Sequence, residues 1–135
     1  MEKGKKEIPY YILEILLEHS DEKHPISCPE IRYYCVQQYG KTFERRTLYS
    51  AVKMLNELGY DIKYVPGLEN GYYIADSGRP FNEEEVKMLI RAINISDITS
   101  EKQKQAIIMK LFGTLSKYQE RKLRKKLDIM QISAK

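Results

Sequence analysis

Residues 43–59 read FERRTLYSAVKMLNELG, and the fold turns on which side of this stretch faces a core. An α-helix advances about 100° per residue, so with Leu48 at zero, Ala51, Val52, Leu55, Leu58 and Gly59 all fall within about 80° of it. That is one apolar stripe, closed by a glycine. Opposite it stand Arg46 and Lys53, at about 160° and 140°, with Ser50 at about 200° and Tyr49 at about 100°, while Thr47 and Arg45 take the flanks. A face that only meets water pairs glutamates with lysines four residues apart, whereas here Glu57 is the one acid pointing fully outward, at the far end. The spacing predicts a helix that buries one side and offers cations, hydroxyls and an aromatic ring on the other. Two uses of that face stay open: a solvated surface on a small helical domain, or a surface shaped for DNA.

Working outward, Pro9 suits a first helical position, and Ile12, Leu13, Leu16 and Leu17 recur on one side of a helix over about Pro9 to His19. SDEKHP is a polar connection. Ser27, three residues before Glu30, forms a capping box opening a second helix over IRYYCVQQY, which ends at Gly40. Only KTF separates it from the opening stretch, giving helix, short glycine-containing turn, helix. After Gly59 the period changes: YDIKYV and GYYIAD, rich in Ile, Tyr and Val, flank PGLEN and predict a short antiparallel hairpin. Three helices followed by a hairpin describe a winged helix-turn-helix, a mainly α (α+β) fold. Next, Asn82 and Glu85 form a second capping box, with Val86, Leu89, Ile90 and Ile93 at helical spacing behind it. Ser100 with Gln103 forms a further capping box, opening another helix carrying Ala106, Ile107, Leu111, Phe112 and Leu115, which SKYQERKLRKKLDIMQIS continues through Tyr118, Leu123, Leu127 and Met130. The expected organisation is a winged helix-turn-helix domain over 1–78 and a helical extension over 79–135.

The 135 residues suffice for one domain with a core plus an extension, which disfavours an enzyme with a large cleft. No apolar run reaches the length of a membrane span or signal peptide, so a soluble, cytoplasmic protein with no membrane partner is expected. The net charge of +4 is unevenly spread: residues 1–81 hold 11 Lys/Arg against 12 Asp/Glu, and residues 82–135 hold 12 against 7. Nucleic acid bound through the first part would meet a local patch, not a general field. For the basic C-terminal stretch three readings stand: contact with phosphates, a solvated face over a dimerising apolar stripe, or a linker. Dimerisation is favoured by the apolar residues after position 82.

No Ser-His-Asp set, phosphate-cradling glycine loop or convergent carboxylate pair is present, so neither catalysis nor a cofactor is expected. His19, His24, Cys28 and Cys35 are four potential zinc ligands, but their spacing matches no paired-ligand pattern, and no metal site is expected. The cysteines read as free thiols, and His24 as a residue that caps or packs in its turn. Toward DNA, the outward face of residues 43–59 suits a major groove: Arg46 can donate twice to a guanine, while Ser50, Thr47, Tyr49 and Lys53 suit phosphates, and Arg45 a phosphate or a structural role. Ser27 at the second helix N-terminus is placed to meet a phosphate, and Lys63 and Asn70 of the hairpin to reach the backbone or minor groove. A hairpin that merely packs on the third helix fits the same residues.

Four segments, HSDEKHPISCPEI (19–31), ERRTLYSAVKMLNELGYDI (44–62), NGYYI (70–74) and RPFNEEEVKMLIRAI (79–93), resemble in order the N-terminal part of bacterial WYL-domain transcriptional regulators. The resemblance runs from about Ile8 to about Leu115. It implies a DNA-binding regulator and assigns DNA contact to Arg45, Arg46, Thr47 and Tyr49. The family usually shows Arg-Asp after that tyrosine, where this chain has Ser50-Ala51. The family's ligand-sensing domain would begin near where this sequence stops, so the chain is a naturally short regulator or a piece of one. The expected function is a sequence-specific transcription regulator, a repressor acting as a homodimer on double-stranded DNA. The alternative is a winged-helix protein-interaction module, or a small phage or mobile-element inhibitor protein.

Overall fold

Ile8, Ile12, Ile15 and Leu16 recur at three- and four-residue steps and are buried on one face of α1 (Lys3–His19). A computed structural model of the chain describes residues 3–67 and 70–134, with side chains over 6–67 and 70–128. The chain divides into two compact units, Met1–Arg79 and Pro80–Lys135. The fold is mainly helical with a small two-stranded antiparallel sheet. Among the described residues no helix is long and apolar enough to cross a membrane.

In the first unit α1 begins six residues before Pro9, which lies inside the helix instead of opening it. Ile8, buried one position earlier, anchors the turn ahead of the proline, although Pro9 itself gives no N–H to the ladder. α2 (Cys28–Tyr39) starts at Ser27 with the expected reciprocal box: Ser27 Oγ accepts from Glu30 N, and Glu30 Oε1 accepts from Ser27 N at 2.9 Å. It stops at Gly40, which takes the left-handed conformation at φ 66°. In the connection that follows, Arg32 Nε donates to the Phe43 carbonyl at 2.9 Å and its guanidinium lies over the buried Phe43 ring. α3 (Arg45–Glu57) buries Leu48, Ala51 and Leu55 and packs on α1. Leu58, assigned to the stripe by spacing, is 67% exposed. It is the C-cap, where the chain leaves the helical path, and Tyr60 packs against the core instead.

β1 (Ile62–Val65) and β2 (Gly71–Ile74) pair in the register Ile62 to Ile74 and Val65 to Gly71. Ile26, just before α2, adds a bridge on the other edge of β2: Ile26 N donates to Tyr72 O at 2.9 Å and Tyr72 N to Ile26 O at 2.7 Å. So close is this approach that a Cβ on Gly71 would stand 2.8 Å from the Ile26 backbone. Three polar side chains fasten the sheet to the helices. Asn56 of α3 clamps Ile62, donating to its carbonyl at 3.1 Å and accepting its N–H at 2.5 Å. Buried Ser20 donates to Leu16 O and accepts from Ile74 N. Arg79, also buried, donates to Leu17 O at 2.9 Å and Ser20 O at 2.6 Å, occupying carbonyls at the end of α1; burial pulls its pKa below the ordinary guanidinium value.

In the second unit α4 (Glu83–Ile95) starts at the Asn82–Glu85 box and buries Val86 and Ile90. The box expected from Ser100 and Gln103 is half formed at α5 (Glu101–Phe112): Ser100 Oγ accepts from Gln103 N, but the Gln103 side chain accepts from Thr99 and does not return to the Ser100 N–H. Its buried line is Lys104, Ile108 and Phe112; Ala106 and Ile107 are exposed. Lys104 is a cation at the end of α4, its Nζ 3.4 Å from the Asn94 carbonyl and 3.4 Å from Glu101. α6 (Lys117–Ala134) is a separate helix, not a continuation of α5. Ser116 and Gln119 form a reciprocal cap of their own, which restarts the chain with Leu123 inward beside Phe112 and Leu115. Met130's side chain, like Leu68 and Glu69 of the hairpin loop, lies outside the described residues.

Candidate nucleic-acid interface

Because α3 commits Leu48, Ala51 and Leu55 to the core, its opposite side is left outside. Arg46, Tyr49, Ser50 and Lys53 are all exposed there, and Thr47 is half-buried. Neither Arg46 nor Lys53 takes part in an ion pair among the described residues, so both charges are available to a partner. The helix opens at Glu44, which has no side-chain capping bond. Of the first-turn N–H groups, Thr47 N donates to the Glu44 carbonyl at 2.9 Å.

Arg45 behaves differently from its neighbour. Its guanidinium interacts with the Tyr49 phenol first and the Cys28 thiol second, and these push its pKa above the ordinary value. Tyr72 of β2 sits within the field of Tyr49, Tyr64 and Cys28, and burial raises its pKa. The Tyr64 and Tyr72 rings lie 5.0 Å apart, and the Tyr64 hydroxyl donates to Asn70. The Tyr64–Tyr72 ring contact and the Tyr64–Asn70 bond thus fasten the hairpin across its two strands. Tyr64 and Tyr72 are cross-strand partners in the hairpin register.

Of the remaining sequence-predicted residues, Ser27 is half-buried and engaged in its capping box, with the Glu30 carboxylate on its N–H. That places an acid where an anion would approach, which weakens the expected phosphate contact at the start of α2. Lys63 is exposed but paired to Asp61 at 3.2 Å. Asp61, at φ 47°, has its pKa held below the ordinary carboxylate value by the Ser77 hydroxyl and by Lys63. The structure therefore groups Arg45, Arg46, Thr47, Tyr49, Ser50 and Lys53 on α3, while Asn70 lies on the hairpin, bonded to Tyr64. His24 Nδ1 lies 2.8 Å from Asp21 Oδ1, packing the turn after α1 as expected, and His19 stacks on Tyr34 at 3.6 Å. Cys28 and Cys35 are buried free thiols, and among the described residues no group of three His, Cys, Asp or Glu is arranged to hold a metal ion. Compared with known proteins, the chain matches no family model, no curated protein and no solved structure.

Proposed function

We propose that this chain is a sequence-specific DNA-binding transcription regulator of the winged helix-turn-helix type, acting as a dimeric repressor. One observation carries the reading: α3 leaves Arg46, Ser50 and Lys53 exposed opposite its buried side, with both cations outside any ion pair among the described residues. An arginine at the N-terminal end of a helix in the major groove can donate twice to guanine O6 and N7, while lysine and hydroxyl groups hold phosphates. In this reading α3 is the recognition helix and the β1–β2 hairpin is the wing, with Asn70 toward the neighbouring backbone. The resemblance of residues 44–62 to the WYL-domain regulators supports the same assignment. The test is a binding titration of the full chain on labelled duplex DNA across a salt series. Affinity is expected to fall linearly on a log–log plot, with a slope set by the few phosphates that a local patch can neutralise. No binding at moderate salt would sink the proposal.

A second reading is a winged-helix module that docks on a protein. It is favoured by Met54 and Leu58, one helical turn apart and 41% and 67% exposed on the flank of that same helix. Met54→Lys with Leu58→Lys separates the two, since it abolishes protein capture under this reading and leaves DNA affinity equal or tighter under the first.

A further inference from the structure

The outward side of α4 carries an apolar stripe with opposite charges at its two ends. Met88 is 64% and Ile95 87% exposed, and Ala92 between them is exposed as well. With Met88 at zero, Ala92 lies at about 40°, Ile95 at about −20°, Glu84 at about −40° and Arg91 at about −60°. Glu84 and Arg91 therefore share one flank, Glu84 about 6 Å before Met88 along the axis and Arg91 about 4.5 Å after it. Glu84, Lys87, Met88 and Arg91 also line a shallow concavity of about 390 Å³.

We infer that this stripe is a self-complementary docking surface for a second copy of the chain, α4 packing antiparallel on its own copy about a two-fold axis at Met88. Such an axis keeps each flank on its own side and reverses height along the helix. Glu84 of one copy then meets Arg91 of the other at nearly the same level, and Arg91 meets the other Glu84. Met88 packs on Met88, and Ala92, having no bulk, lets the helices approach. A parallel two-fold exchanges the flanks instead, which sets Glu84 against the other copy's Glu85, at about +60°, and leaves Arg91 without an acidic partner. Glu84 already pairs with Lys87 of its own helix at 3.1 Å, so Arg91 of the second copy completes a three-charge cluster at the rim of an apolar contact. This deepens the dimeric reading above by naming the surface, and it stands on geometry separate from α3.

Analytical ultracentrifugation of the full chain at tens of micromolar tests it. A dimer is expected, and Met88→Asp is expected to give a monomer with an unchanged circular dichroism spectrum. Arg91→Glu and Glu84→Arg should each weaken the dimer about tenfold or more, as like charges face each other. The double variant Glu84→Arg with Arg91→Glu restores the pair and should recover the dimer, which a folding defect would not. A wild-type monomer, a dimer indifferent to Met88→Asp, or failure of the double variant to recover would overturn the inference. The first outcome would leave the stripe to a different partner. A monomer that still binds duplex DNA overturns this inference and the dimeric part of the functional proposal but leaves DNA binding standing, whereas a dimer without DNA affinity overturns only the functional proposal.

Discussion

Arg45 and Arg46 are adjacent in sequence and different in circumstance. Both are exposed and outside any ion pair among the described residues, but the Tyr49 phenol and the Cys28 thiol push the Arg45 pKa above its ordinary value, whereas Arg46 projects from α3 alone. Arg46→Ala should therefore cost about 1–3 kcal/mol on a preferred site and relax preference at one base position, as read by competition binding. Arg46→Lys should not restore it, because a lysine cannot donate as a planar fork. Arg45→Ala should weaken binding alike on all sequences, since an exposed guanidinium on the helix flank suits a phosphate. Asp61 gives a pH prediction. Its folded pKa lies below the ordinary carboxylate value, so its contribution to stability is present above that ordinary value and disappears as pH falls through the lowered one. Wild type should unfold at a higher temperature than Asp61→Asn at neutral pH, and the difference should vanish in strong acid. A difference that persists in acid would contradict this.

Elements were legible in the sequence wherever their signal is local. The Ser27–Glu30 and Asn82–Glu85 boxes, the Gly40 stop and the hairpin follow from residues three to ten positions apart, and all four are present. Ser116–Gln119 obeys the same rule, and it breaks a run that apolar spacing alone joins into one helix. What no window along the chain contains is long-range pairing: Ile26 with Tyr72, Ser20 with Ile74, Arg79 with the end of α1. Likewise the α3 charge face was legible from periodicity, but the Asn56 clamp on Ile62 depends on tertiary placement. Two variants measure these joints by urea denaturation. Asn56→Ala removes both bonds to Ile62 and should cost about 1–3 kcal/mol. Gly78→Ala puts a Cβ 2.0 Å from the Tyr60 carbonyl oxygen, a backbone collision that should cost about 3 kcal/mol or prevent folding.

At the scale of the whole molecule the charge is divided between units: residues 1–81 carry a net −1 and residues 82–135 a net +5. The proposed recognition face lies in the unit without excess positive charge, so its selectivity has to come from the few side chains of α3 and not from a broad field. The central claim is that α3 reads DNA sequence, and the most direct measurement is selection of bound duplexes by the full chain from a random library, in parallel with Arg46→Ala. The account predicts enrichment of one palindromic or repeated site by the wild type, with a single position per half-site losing its preference in the variant. Absence of any enriched sequence at moderate salt, or an identical site selected by Arg46→Ala, would contradict it.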